Sequence, residues 1–202
     1  MQMAYIGMGS NLASPAGPPD ATLAAAVARL ASFSQVVARS SLYSTKPVGF
    51  ADQPRFINAV VALKTGLAPH PLLAALLDLE RAFGRNRSKG FQDGPRTLDL
   101  DILLMGDIDS SEPRLQIPHP RLADRAFVLV PLNEIAPQVV HPVHRRTVAQ
   151  LLDILRKSRE GETNEVVPIQ SAPWSIGAVD VAAEPSSPLR TETGKPHRHR
   201  DR

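Results

Sequence analysis

The stretch Gly94-Pro95-Arg96-Thr97-Leu98-Asp99-Leu100-Asp101-Ile102-Leu103-Leu104 alternates polar and aliphatic residues with a period of two. That is the period of a strand, whose successive side chains leave on opposite faces. Leu98, Leu100, Ile102 and Leu104 then share a face that needs a core, and Thr97, Asp99, Asp101 and Leu103 share the other. Burial of the aliphatic face pins the register, because a slip of one residue would exchange the faces. The same register holds Asp99 and Asp101 as neighbouring carboxylates roughly 6–7 Å apart. Two such anions repel unless a cation lies between them, and Asp is a poor strand former. A half-buried strand that happens to carry two aspartates is the plain explanation. A hard-cation site is the functional one, since Mg2+ is held by one or two carboxylates together with substrate phosphates. Arg96, just upstream, has the planar fork that engages a phosphate in two parallel hydrogen bonds.

With 202 residues the chain has room for one domain of ordinary size and something beyond it. It has no cysteine, which excludes disulfides, thiolate metal sites and a Cys nucleophile. No apolar run reaches bilayer length, and Met1-Gln2-Met3-Ala4-Tyr5 lacks the charged region and apolar block of a signal peptide. A cytosolic protein without membrane contact is expected. The net charge is +3, but much of the basicity falls in residues 185–202, as Arg190, Lys195, Arg198, Arg200 and Arg202. What remains is close to neutral, with no basic stripe interleaved with aromatics to suit a nucleic acid.

Residues 3–9 read as a first strand ending in a turn at Gly9-Ser10-Asn11, whose glycines permit the bend or let a flat ligand approach the backbone. A Pro- and Gly-rich loop follows, with Asp20 as the expected cap of an amphipathic helix over 21–33. Residues 36–44 read as a second strand, 45–54 as an irregular ligand-facing loop, and 56–63 as a third strand with Asn58 embedded in it. An Asn in an apolar run is costly unless its amide is satisfied, so it bridges to a neighbouring loop or meets a ligand. Residues 69–83 form the most secure helix, begun by Pro69 and Pro71 and ended by Gly84. The basic run from Arg85 to Asp93 leads straight into the two-aspartate strand, which favours phosphate complementarity over a merely solvated face. Glu80 is placed to pair with one of its arginines.

Further on, 106–112 reads as a turn, 115–117 as a short strand, and Pro118-His119-Pro120-Arg121 as a stiff corner. The corner holds an imidazole in place to donate to a phosphate or to cap a loop. An apolar segment spans 124–132, and 148–155 is a final helix. His141 and His144 read as ordinary exposed histidines. From residue 159 the chain is rich in Pro, Ser, Thr, Glu and basic residues, with little to bury apart from 166–169 and 174–181. Residues 1–158 are therefore expected to form the domain, and 159–202 a disordered extension.

Five separated motifs stand in an order that resembles the 6-hydroxymethyl-7,8-dihydropterin pyrophosphokinase family of folate biosynthesis, over about residues 3–155. They are Ala4-Tyr5-Ile6-Gly7-Met8-Gly9-Ser10-Asn11-Leu12, Asp52-Gln53-Pro54-Arg55-Phe56-Ile57-Asn58-Ala59, Glu80-Arg81-Ala82-Phe83-Gly84-Arg85-Asn86-Arg87, Gly94-Pro95-Arg96-Thr97-Leu98-Asp99-Leu100-Asp101 and Ile117-Pro118-His119-Pro120-Arg121. The resemblance implies an α+β fold, a ferredoxin-like antiparallel sheet with helices packed on both faces as a three-layer α/β/α sandwich, acting as a cytoplasmic monomer. It implies ATP as co-substrate, two Mg2+ ions, and transfer of a pyrophosphoryl group to the hydroxymethyl group of a pterin with release of AMP. Matched position by position, Asp99 and Asp101 resemble the metal aspartates. Arg85, Arg87, Arg96, His119 and Arg125 resemble the triphosphate clamp, with Arg85 and Arg96 catalytic beside the aspartates, and Glu80 and Arg114 fall near the nucleotide. Gly9, Thr45, Lys46, Val48, Phe56, Asn58, Phe91 and Phe127 fall where the family lines its pterin pocket.

The chain also departs from the pattern. Gln92-Asp93 stands where members carry a basic residue and an aromatic, with the aromatic displaced to Phe91. Pro120 replaces an aromatic of some members, and Phe56 a common tyrosine. The alternative is a non-catalytic ferredoxin-like module that binds nucleotide or RNA as a regulator. Against RNA, the strands lack paired exposed aromatics, and two bare carboxylates would repel a phosphate backbone. No GxxxxGK[ST] is present, which excludes a P-loop kinase.

Overall fold

Two apolar faces organise the chain into an antiparallel sheet with helices on either side. The computed structural model describes residues 1–87 and 93–175. Phe91 and the chain beyond residue 175 lie outside the described residues. In chain order the elements are β1 (Gln2–Ser10), α1 (Pro19–Leu30), β2 (Gln35–Arg39), β3 (Leu42–Thr45), β4 (Phe56–Thr65), α2 (Pro69–Ala82), β5 (Asp99–Met105), β6 (Ser110–Glu112) and β7 (Leu115–Ile117). After them come α3 (Ala126–Ile135), β8 (Val140–His141), β9 (Arg146–Thr147), α4 (Val148–Ser158), α5 (Glu160–Asn164), β10 (Val167–Ile169) and α6 (Ala172–Ser175). The main sheet runs β10-β3-β4-β1-β5, with β2 also paired to β4. Its described pairings are all antiparallel.

Alternation along the central strands feeds two cores. Ala4, Ile6 and Met8 of β1, with Ala59, Val61 and Leu63 of β4, pack under α1 and α2. Tyr5 and Val60 pack on the other side, against α3 and α4. Because β4 is buried on both faces, it reads as an almost unbroken apolar run. In α2, Leu72, Leu76 and Leu79 repeat at helical spacing and are buried. Gly84, at φ 84°, ends that helix in the left-handed conformation a Cβ would disfavour. A capping box formed by Thr147 and Gln150 starts α4.

Several expectations are corrected. The strand anticipated over 36–44 breaks into β2 and β3, because Ser40 is buried and its hydroxyl, which accepts from the Val60 N–H at 3.0 Å and donates to the Ser41 carbonyl at 2.7 Å, interrupts the ladder. Pro18, not Asp20, occupies the cap of α1, and the Asp20 carboxylate instead accepts the Ser171 hydroxyl at 2.8 Å. The turn read over 106–112 contains β6, which pairs with β7. A bulge opposite Tyr5 and Ile6 puts Leu103 and Leu104 both into the second core, so Leu104 leaves the face of Leu98 and Leu100. His141 is buried, and burial together with His144 pushes its imidazole down to about 4.

The domain also continues past residue 158. Val167–Ile169 adds to the sheet edge opposite Ser44, Tyr43 and Leu42, and Trp174 enters the first core at 7% exposure. Its indole N–H donates to the Ser40 carbonyl at 3.0 Å, and Arg39 stacks 5.0 Å from its ring. Trp174 is the chain's only tryptophan. Its emission is therefore expected to be blue-shifted in the native protein and to redden on unfolding in urea. A native spectrum already at the solvated wavelength would place residues 172–175 off the domain.

Candidate active site

β5 runs beside β1 with Asp99 opposite Gly9 and Asp101 opposite Gly7. Neither glycine has a side chain to cover its facing carboxylate, and both acids line one cleft of about 700 Å3. The strand is held from behind. Leu100, between the two aspartates, donates its N–H to Glu80 Oε1 at 2.9 Å. Glu80 is 1% exposed and takes the Arg87 guanidinium on its other oxygen at 2.7 Å. Burial lifts its carboxyl above the ordinary range, against the pull of Leu100 and Arg87. Glu80 thus pairs with an arginine as expected, yet it is not among the residues that line the cleft.

The two aspartates differ in their surroundings. Asp99 accepts Arg96 Nη1 at 2.7 Å and lies 3.4 Å from Arg85 Nη2. Arg96 is locked in turn: its Nε donates to the Gly94 carbonyl at 3.1 Å, its backbone N–H to Asn11 Oδ1 at 2.7 Å, and its guanidinium stands 5.2 Å from the Phe56 ring centre. No hydrogen bond or ion pair reaches the Asp101 carboxylate from the described residues. Burial and the neighbouring Asp99 push its carboxyl up to about 6, with Arg125 opposing.

Arg85, Arg87, Arg121 and Arg125 add to Arg96 along the same cleft. Burial pushes Arg85 down from its usual value, whereas Glu80 holds Arg87 above its own in spite of burial. Arg125 lies 5.3 Å from the Phe127 ring centre. Burial, Arg125 and Arg121 lower His119 to about 4. Its Nδ1 accepts the Arg121 N–H at 3.1 Å, so the ring is neutral at pH 7 with its proton on Nε2. It therefore caps the corner while keeping a donor.

Phe56, Phe127, Val48, Lys46, Thr45 and Asn58 line the same cleft. Asn58 donates Nδ2 to Thr45 Oγ1 at 2.7 Å, the loop bridge its sequence context called for. Gly9 leaves room beside it, since a Cβ there would stand 3.0 Å from Asn58 Oδ1 and push that amide aside. Asp93, where an aromatic was expected, packs instead on Gly49, whose φ of 87° and 3.0 Å clearance suit glycine alone.

Of the sequence-predicted site residues, Arg114 is exposed between β6 and β7 and is not part of the cleft lining, and Phe91 falls outside the described residues. Sequence reasoning passed over Arg121, Asn11, Gln53 and Thr97, although each lies inside a quoted motif. Thr97 Oγ1 is buried in the cleft wall without a hydrogen-bond partner among the described residues. No cluster of three or more His, Cys, Asp or Glu that could hold a metal occurs among the described residues. A carboxylate pair with one uncompensated member fits a hard cation that completes its shell with phosphate oxygens and water.

Fold and cleft together define a class, the α+β enzymes that move phosphate groups from a nucleotide. The family profile described as 7,8-dihydro-6-hydroxymethylpterin-pyrophosphokinase (HPPK) matches residues 5–137. The 2-amino-4-hydroxy-6-hydroxymethyldihydropteridine pyrophosphokinase of Methylorubrum extorquens is 47% identical over 142 residues, 69% of this chain and 86% of that one. Its counterpart from Pseudomonas aeruginosa is 49% identical over 142 residues, 70% and 85% of the two chains. In fold, the chain is similar to the crystal structure of wild-type Plasmodium falciparum HPPK-DHPS, with a TM-score of 0.61 at 16% identity over 81% of this chain and 46% of that longer one. This chain belongs to the 7,8-dihydro-6-hydroxymethylpterin-pyrophosphokinase family.

The strain at Asp101 has a measurable sign. Its folded pKa of about 6 lies above the ordinary 3.8, so the ionised group opposes folding. That penalty is absent below about pH 4, grows as pH rises through 6, and is complete above it. In metal-free buffer, Asp101→Asn is expected to raise the melting temperature at pH 8 and to leave it nearly unchanged at pH 4. Equal shifts at the two pH values would show that the carboxylate is not strained.

Proposed function

We propose that this chain transfers the pyrophosphoryl group of ATP to the hydroxymethyl oxygen of 6-hydroxymethyl-7,8-dihydropterin and releases AMP, a step of folate biosynthesis. The observation that carries this reading is one cleft whose lining combines five arginines and two carboxylates with two phenylalanines and a buried amide. In this reading Arg85, Arg87, Arg96, Arg125 and the neutral His119 donate to the triphosphate oxygens. Arginine forks suit that task, and a preset array of donors lowers the barrier without reorganising during the reaction. Phe56 and Phe127 flank the flat pterin, while Asn58 meets its polar edge. The acceptor oxygen attacks the β-phosphorus, the bond to the α-phosphate oxygen breaks, and the hydroxyl proton passes to solvent.

Asp99 and Asp101 would hold the Mg2+, as two ions against the triphosphate. When bound, such ions neutralise developing charge and orient attacking and leaving oxygens for an in-line displacement. We read the sheet and its two helical layers as the ferredoxin-like sandwich of the family, with α3 and α4 on one face and α1 and α2 on the other. A regulator that merely binds nucleotide would have no use for the phenylalanine pair and the buried amide in that cleft.

Incubation with ATP, Mg2+ and the hydroxymethyl dihydropterin is expected to yield AMP in proportion to pterin consumed. Release of ADP instead would mean single phosphoryl transfer and would overturn the reading. Asp99→Ala and Asp101→Ala are each expected to lower turnover by about a hundredfold or more. Their far-UV circular dichroism should match the wild type, and retained activity in either would remove the metal assignment.

A further inference from the structure

The family match ends at residue 137, while α5, β10 and α6 lie well beyond it. Between α5 and β10 stands Glu165. Its Oε1 accepts Lys46 Nζ at 2.7 Å, and its Oε2 lies 3.6 Å from Arg55 Nη1. Its backbone carbonyl also accepts Arg55 Nη2 at 3.1 Å. Lys46 and Arg55 are the two ends of the irregular loop that joins β3 to β4, and Arg55 Nε also donates to Ser44 Oγ at 2.9 Å. One carboxylate therefore fastens both ends of the loop that carries Lys46 and Val48 into the cleft. The flanking residues, Thr45 and Phe56, line the cleft too, and Thr45 is the partner of Asn58.

We infer that Glu165 is a positioning residue for the pterin, acting through Lys46 and Arg55 on the loop at the mouth of its pocket. This inference rests on the assignment of Thr45, Lys46, Val48 and Phe56 to the pterin pocket. Glu165 arrives at its place independently of the ion pairs. Two residues on, Val167 pairs with Ser44, and the far end of the segment is anchored by Trp174 in the core and by the Ser171–Asp20 hydrogen bond. A recess of about 410 Å3 lies between residues 45–48 and the segment that carries Glu165, and the Lys46–Glu165 pair joins its two walls. Lys46 and Glu165 are 63% and 42% exposed in their side chains, and a lone pair of that kind contributes little to overall stability. Its effect falls on the loop, because the segment that presents Glu165 is already held.

The test uses the full chain with Glu165→Gln, which removes the charge, and Glu165→Lys, which reverses it. KM for the pterin is expected to rise about threefold in the first and about tenfold in the second. kcat and the KM for ATP should stay within about twofold of the wild type. Trp174 emission should not change, showing that the segment stays docked. Trypsin should cleave after Arg55 faster in both variants, a readout that needs no turnover. An unchanged pterin KM in Glu165→Lys overturns the positioning role while leaving the activity intact, as does a parallel rise in both KM values. A reddened Trp174 in Glu165→Gln also overturns it, since the pair would then be holding the segment and not the loop. If the wild type releases no AMP, the activity falls, whereas faster cleavage after Arg55 still supports the tether.

Discussion

Everything in the cleft depends on the register of β5 against β1. It sets each aspartate opposite a glycine, so the carboxylates meet open space where most strand neighbours would offer a side chain. That register is over-determined: Leu98, Leu100 and Ile102 fill the core beneath, and Glu80 grips the one N–H that separates the two acids. A single-residue slip would send the leucines into the cleft and the acids into the core. Two like charges side by side cost stability, and the fold relieves only one of them. Arg96 and Arg85 compensate Asp99, while Asp101 is left with distant Arg125. That imbalance supports the Mg2+ proposed for the pair.

The basic groups are arranged by the same logic. Five arginines along one cleft repel each other, so each must be restrained if it is to present donors to a ligand instead of swinging away into water. Arg96 is restrained by Asp99, Gly94 and Phe56, Arg87 by Glu80, and Arg125 by Phe127. His119 completes the set without adding charge. Placed among Arg121 and Arg125, an imidazolium would be destabilised, and the Arg121 N–H on Nδ1 leaves Nε2 as the donor. A neutral donor still binds a phosphate oxygen, and it does so without deepening the repulsion.

The residues most legible in the sequence were those whose function contradicts their local environment. Two Asp in a strand and an Asn in an apolar run each violate propensity, and such violations mark sites. Asn58 found Thr45, and the aspartates found one cleft. Contacts between distant segments were not legible. Ser40 breaks a strand because its hydroxyl serves Val60, and a bulge turns Leu104 to the second core. Neither leaves a trace in local periodicity. His141 is buried by a two-residue hairpin pairing whose strands are too short to show alternation. Arg114 lies outside the five motifs, at the turn of β6 and β7, which carries it outward. Residues 159–175 looked too polar to fold alone; they order by borrowing the edge of β3 and by sinking one tryptophan beside Ser40.

Asn11, one residue past β1, joins Arg96 to the loop between β3 and β4. Its Oδ1 accepts the Arg96 N–H at 2.7 Å, and its Nδ2 donates to Gln53 Oε1 and to the Pro54 carbonyl, each at 3.0 Å. Gln53 passes the connection on, donating to the Phe50 carbonyl at 2.6 Å and to the Asp93 carbonyl at 2.7 Å. One amide thus links the residue that orients Asp99 to the loop between β3 and β4. Both donors and the acceptor of Asn11 are committed, so neither segment can shift without breaking a part-buried hydrogen bond or moving the other. The arginine that holds Asp99 and the loop that carries Lys46 and Val48 are therefore adjusted together, through a side chain rooted one residue past the central strand.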